Sequence, residues 1–285
     1  MRICITTIFL AFFATSSFTQ EILYDKQDSI FIEGIIEEMS AKEFSSSGNL
    51  LLAIADKFTG CRYVAGTLEN GEKEPLYVSC SKLDCTTFVE LTLAIATTIG
   101  KKEIRFNDVC RNLEKIRYRN GVRKGYASRL HYISQWIEDS LKQGTITEVT
   151  SCRISKKGRL HLSFMSSHPQ NYTMLKDNPG TTREIEAMEK PFRNKEIEYI
   201  PKDMLDRGAD ELPIKDGDIL ALTTNIDGLD VTHIGFAFWH NERVHLLHAS
   251  SSKEMVIRDN VTLYDYQKKR KSQTGIRIFR LIGIL

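Results

Sequence analysis

One stretch constrains the chain more than any other: a cysteine at the head of the most apolar helix in the sequence. In Ser81-Lys-Leu-Asp-Cys-Thr-Thr-Phe-Val-Glu90, Asp84 and Thr86 are suited to cap a helix whose next residues include Phe88, Val89, Leu91, Leu93, Ala94 and Ile95. The pattern is apolar on nearly every side through to Gly100, a plausible C-terminal stop. A helix of that kind belongs in a domain interior, so Cys85 is fixed at the end of a rigid element. A lone cysteine is ordinarily a small buried hydrophobe. At a helix start, though, the unpaired N–H groups and the positive dipole end favour thiolate, which predicts a lowered thiol pKa for Cys85.

With 285 residues, 41% hydrophobic and 27% charged, the chain can bury a proper core as one large domain or two small ones. A net charge of +2 gives no reason to expect nucleic acid, and Lys268-Lys269-Arg270-Lys271 and Arg123-Lys124 read as solvated surface. Met1-Arg2 followed by an apolar run from Ile3 to Thr15, too short to span a bilayer, reads as an export signal over residues 1–20. An uncleaved anchor is the alternative. The expected protein is therefore exported, periplasmic or secreted, without stable membrane insertion once the signal is removed. Removal leaves Cys61, Cys80, Cys85, Cys110 and Cys152, an odd count that leaves at least one thiol unpaired.

Helices are expected over Ile30 to Met39, from Ser45 through Ala55, over Ile104 to Tyr118 and over Leu130 to Leu141. Glycines flank Tyr63 in the loop from Phe58 to Glu69, Asn70-Gly71 marks a turn, and Pro75 to Ser79 is extended. Ser128 is expected to cap the helix after it, placing Arg129 and His131 on its first turn. Gly144 to Thr150 and Cys152 to Ser155 suggest strands, and His168 to Pro201 is a proline-punctuated surface excursion with a helix near Thr182 to Glu189. Strands follow at Ile219 to Thr223, Val231 to Trp239, Arg243 to Ser250 and Ile276 to Leu285. Helices first and antiparallel strands after is an α+β arrangement. The organisation expected is one domain over 21–285, with helical insertions around 100–145 and an excursion around 165–210.

Four of the 7 histidines, His233, His240, His245 and His248, fall in one hairpin. A short loop about Asn241-Glu242 sets His233 opposite Ser250 and Gly235 opposite His248, making His233 and His248 diagonal neighbours on one face. Diagonal positions lie about 7–8 Å apart, within hydrogen-bonding reach of two imidazoles. Gly235 removes the side chain that would crowd His248. His245 turns to the other face with Phe236 and Phe238, and His240 sits in the turn, so both read as structural. A cysteine at a helix start with two histidines on a sheet face has the logic of nucleophilic acyl transfer: one imidazole moves the proton and the second orients the first. Zinc needs more ligands at closer spacing, and the sequence has no Cys-x-x-Cys or His-x-x-x-His, so neither a metal nor another cofactor is expected.

Leu83-Asp-Cys-Thr-Thr-Phe-Val, preceded by Tyr63-Val-Ala-Gly and followed by Gly217-Asp, Thr232-His-Ile-Gly and His248, resembles the NlpC-like cell-wall hydrolases, a papain-like superfamily. With Ser128-Arg-Leu-His-Tyr, the chain is similar to the branch described as N-acetylmuramoyl-L-alanine amidases. The resemblance implies a papain-like fold, with a central helix carrying the nucleophile packed on an antiparallel sheet. It implies catalytic roles for Cys85, His233, His248 and Tyr63, the last helping to hold the oxyanion. The substrate it implies is a peptidoglycan fragment, a muropeptide, cut between N-acetylmuramic acid, or its anhydro form, and L-alanine. Asp84, Tyr126, Arg129, His131 and Thr232 are the candidate substrate-binding residues. The sequence departs from the superfamily form Asp-Cys-Ser-Gly at Asp84-Cys-Thr-Thr, and from the usual tryptophan-glycine at Ala65-Gly66. A stem-peptide endopeptidase, in which Asp84 holds a free amine, and a non-catalytic wall-binding module are the alternatives.

Overall fold

The structure, a computed structural model, describes residues 21–69 and 73–284. The expected export signal and the Asn70-Gly71 turn lie outside the described residues. Along the chain run β1 (Ile22–Leu23), α1 (Lys26–Ser40), α2 (Ser47–Asp56), β2 (Arg62–Tyr63), β3 (Leu76–Tyr77), β4 (Lys82–Leu83), α3 (Cys85–Gly100), α4 (Phe106–Arg117) and α5 (Ile133–Lys142). Then come β5 (Ile146–Glu148), β6 (Lys156–Leu160), α6 (Phe164–Ser167), α7 (Pro179–Glu189), β7 (Lys195–Pro201), β8 (Ile219–Thr224), β9 (Val231–His240), β10 (Arg243–Ser250), β11 (Met255–Thr262), α8 (Leu263–Lys268) and β12 (Gln273–Leu281).

One sheet organises them, in the order β4-β2-β11-β10-β9-β8-β12-β7-β6, with β5 added on β12. From β11 through to β6 the pairings are antiparallel; β2 and β4 pair in parallel at the edge. The hairpin pairs in the anticipated register, Arg243 with His240 and Leu247 with Phe236. Alternate side chains of these strands feed two cores. Ile234, Phe236, Leu247 and Ala249 meet α3 on one side. Ala237, Val244 and Leu246 meet Leu263 and Tyr266 of α8 on the other.

The rod behaves as its composition demands. Phe88, Ala94, Ile95 and Ala96 of α3 are fully buried, and the Phe88 ring sits edge-on to Phe58 and Phe236 at 6.1 and 5.6 Å. Truncating such a side chain to alanine typically removes about 3–5 kcal/mol of stability. Because β4 ends one residue before the Asp84 N-cap, pairing of Leu83 with Tyr63 places the start of this helix at the sheet edge.

Three local expectations are corrected. Cys152 to Ser155 is a turn, closed by the Ser155 N–H and hydroxyl on the Cys152 carbonyl, and the strand begins at Lys156. The helix after Ser128 begins only at Ile133. The Ser128 hydroxyl donates to the Gly125 carbonyl and accepts from the Lys124 N–H, which closes a local turn and leaves Arg129 on an extended bridge to Tyr118. Arg129 and His131 therefore do not lie on a helical first turn. Finally, β11 and α8 fill a stretch for which no element was expected. The proline-punctuated segment carries an apolar cluster: Met165, Leu175, Ile185 and Phe192 pack with Tyr126 and Tyr132. No helix among the described residues is long and apolar enough to cross a membrane.

Candidate active site

Asp84 caps α3 reciprocally with Thr87. Its carboxylate accepts the Thr87 N–H at 2.8 Å and the Thr87 hydroxyl at 2.8 Å, while its own N–H donates to that hydroxyl at 2.9 Å. A cap of this kind is worth about 0.5–2 kcal/mol and locks the residue that follows it. That residue is Cys85, half-buried in the wall of a cleft of about 260 Å³.

Burial, followed by the neighbouring Asp84 carboxylate, pushes the Cys85 thiol up to about 12, against the pull of the Ile234 N–H, the Thr86 hydroxyl and its own N–H. The expected lowering by the helix terminus is overturned. Desolvation of the sulfur and a like charge one residue away outweigh the amide dipoles.

His233 lines the same cleft and is itself buried. A bulge in the β8–β9 pairing between Leu222↔His233 and Thr223↔Val231 lies beside it. Its Nε2 is 2.5 Å from Nδ1 of His248, with the two rings at 87°. Gly235 makes this possible, since a Cβ there would come within 2.9 Å of the His248 Cβ. Burial, then the charges of His248 and Arg270, hold His233 well below the usual imidazole range. His245 faces the opposite side, stacked on Phe238, and His240 ends β9 at the turn, as expected.

Behind His248 stands a residue the sequence did not disclose. Asp259 on β11 brings Oδ2 to 3.4 Å from His248 Nε2. Burial raises its carboxyl, but the His248 ring beside it and the Val261 N–H that donates to it leave it below the ordinary aspartate value. Cys85 and His233 thus share the cleft wall, and behind His233 stand His248 and then Asp259. Burial, then the charges of Cys85 and Asp84, push the Tyr63 hydroxyl up to about 12, so it stays protonated; Tyr63 is not among the residues that line the cleft.

The remaining candidates divide. Thr232, Asp84, Arg129 and His131 line the cleft. The Arg129 guanidinium is already paired within the protein, with Glu69 at 2.7 Å and Glu74 at 3.2 Å, and it lies over the Tyr126 ring. Tyr126 is not among the lining residues; its hydroxyl is held by Glu69 at 3.1 Å. His131 is held well below the usual imidazole range by burial and by Arg129, and its Nε2 contacts the Tyr126 carbonyl at 2.8 Å. A neutral ring of this kind suits a hydroxyl or amide better than a carboxylate.

In the floor of the cleft the one charge of α3, Glu90, is buried and accepts from the Arg117 Nε at 2.7 Å, while Arg117 Nη1 donates to the Tyr77 carbonyl. A lone carboxylate in a helix apolar all round was a signal that a buried cation had to meet it. The five cysteines of the described residues are free thiols. Among those residues no group of three or more His, Cys, Asp or Glu is arranged to hold a metal.

The model of the AmiA-like family, described as N-acetylmuramoyl-L-alanine amidase-like, matches residues 53–276. Among solved structures, an N-acetylmuramoyl-L-alanine amidase from Bacteroides uniformis ATCC 8492 is 42% identical, covers 82% of this chain and 98% of its own, and superposes with a TM-score of 0.77. A chain from Bacteroides fragilis with the provisional name of a xylanase is 45% identical over 81% of this chain and 100% of its own, with a TM-score of 0.76. A Legionella pneumophila protein shares the fold alone, at 20% identity over 90% of this chain and 95% of its own, with a TM-score of 0.68. No match was found among curated proteins. By the family model and by these similarities, the chain belongs to the AmiA-like, N-acetylmuramoyl-L-alanine amidase-like family.

Proposed function

We propose that the protein is an exported cysteine amidase, built on the papain-like plan, that hydrolyses the amide between the lactyl group of N-acetylmuramic acid and L-alanine in muropeptides. One observation carries the reading: the His233–His248 hydrogen bond opens onto the cleft whose wall holds Cys85. With Nε2 engaged by His248, Nδ1 is the ring nitrogen left for the thiol. On substrate arrival His233 takes the thiol proton as sulfur bonds to the lactyl carbonyl carbon. The C–N bond then breaks, His233 returns the proton to the L-alanine nitrogen, and a thioester remains. Water, deprotonated by the same ring, cleaves the thioester and restores the thiol. The Cys85 N–H faces the developing oxyanion, and the Tyr63 hydroxyl, outside the residues lining the cleft, is the second donor that the family resemblance implies.

The neutral thiol and neutral imidazole of the resting site support proton transfer concerted with attack over a standing ion pair. The endopeptidase alternative uses the Asp84 carboxylate for a substrate amine, which would have to meet Oδ2, since Thr87 engages Oδ1 twice. Glycoside hydrolysis runs on a pair of carboxyl groups flanking the bond, one of them holding a proton to donate. Each carboxylate lining this cleft has a protein donor: Glu69 with Arg129, Asp84 with Thr87, Glu90 with Arg117, and Asp230 with the Ser134 and Val231 N–H groups. Incubation with a defined muropeptide and identification of products by mass tests the reading. A product peptide beginning at L-alanine is expected; a cut inside the stem peptide transfers the assignment to an endopeptidase.

A further inference from the structure

The two histidines do not end in solvent on their inner side. Tyr266, buried on α8, lays its ring beside His233 at 5.9 Å and 31°, and meets the His248 ring edge-on at 5.4 Å and 83°. On Tyr266 in turn sits the Arg270 guanidinium, 3.5 Å from the ring centroid, with Nη1 donating to the Tyr266 carbonyl at 2.7 Å. Among the described residues no carboxylate pairs with Arg270. A cation so close to an aromatic face is attracted to the ring and fixes its plane.

We propose that Tyr266 and Arg270 are positioning residues for the amidase reaction, a cation-capped aromatic plate that fixes the His233 ring and shields the His233–His248 hydrogen bond from water. The proposal rests on the reading of Cys85 and His233 as nucleophile and base. Neither residue lines the cleft, so neither touches substrate. The titratable and charged groups around His233 are His248 with Asp259 behind it, the plate itself and, in the cleft that His233 lines, Cys85, Asp84, Asp230 and the Arg129 guanidinium already paired with Glu69 and Glu74. Arg270 is the one fixed cation whose charge acts on His233, and it disfavours the imidazolium.

Steady-state kinetics on a defined muropeptide, with full pH profiles, test the plate. Tyr266→Leu is expected to lose about tenfold or more in kcat with KM within about twofold, and Tyr266→Phe to recover most of that loss. Arg270→Gln is expected to move the acid limb of kcat/KM to higher pH by about half a unit, while Arg270→Lys leaves it in place. Arg270 is half-exposed, so its variants report even if Tyr266→Leu does not fold. An acid limb unmoved in Arg270→Gln, or an unchanged kcat in Tyr266→Leu, overturns the proposal. A wild-type protein inert toward muropeptides would instead overturn the reading of the reaction. NMR titration of the His233 ring nitrogens then decides the plate alone, supporting it if Arg270→Gln raises the midpoint and overturning it if the midpoint stays.

Discussion

The Nε2 of His233 and the Nδ1 of His248 are 2.5 Å apart across perpendicular rings, and that single contact fixes which nitrogen of His233 can serve the thiol. Replacing His248 by alanine leaves His233 free to rotate and its far nitrogen unpaired. The expected loss in kcat is about 10²-fold, smaller than the 10³-fold or more expected for His233→Ala. Equal losses for the two variants would give His248 a direct part in proton transfer.

Gly235 separates positioning from folding. A Cβ at this position meets the His248 Cβ at 2.9 Å and the Leu247 carbonyl at 3.1 Å, so the imidazole has to shift. Gly235→Ala is expected to lower kcat by about tenfold or more while costing about 1–3 kcal/mol of stability, the usual range for overpacking. Parallel activity and denaturation measurements check it. Full activity at reduced stability would detach His248 from the mechanism.

The resting charges predict an unusual pH response. His233 is depressed, so it remains a free base as pH falls through about 6.5, and activity is lost only well below that point. Cys85 and Cys110 are each pushed up to about 12, and Cys80 is raised further by burial. Above about pH 9 the unfolded chain therefore binds fewer protons than the folded one, and stability falls as pH rises. Alkylation of Cys85 is accordingly slow at pH 7 and accelerates on the alkaline side. A rapid pH-independent reaction between pH 5 and 8 would contradict the neutral pair.

Glu90 and Arg117 form a buried ion pair under the cleft. Removing one partner leaves an uncompensated charge in the core. Glu90→Gln and Arg117→Met are each expected to cost about 3–5 kcal/mol in urea unfolding, with the double variant costing less than their sum. Additive losses would mean the two charges act independently.

Much of this site was legible before any coordinates. The apolar run fixed α3, the hairpin register followed from a two-residue turn, and period two then put His233 and His248 on one face. What escaped was what sequence spacing does not carry. Asp259 and Tyr266 reach the histidines from β11 and α8, the first through the pairing of β11 with β10 and the second through the packing of α8 on the far face of the sheet. The pairing of Arg129 escaped too, because Glu69 and Glu74, about sixty residues earlier, are adjacent to it only in space. The thiol pKa was misjudged because a helix-terminus argument contains no term for burial, and burial dominates at Cys85.

The central claim is that Cys85 attacks the lactyl carbonyl of muramic acid. Its most direct test is the mass spectrum of products from N-acetylmuramoyl-peptide after incubation with the wild-type protein and with Cys85→Ala. The account predicts a peptide beginning at L-alanine, formed by the wild type alone, with a thioester adduct at Cys85 trapped at early times. Release of the same peptide by Cys85→Ala at the wild-type rate would contradict it.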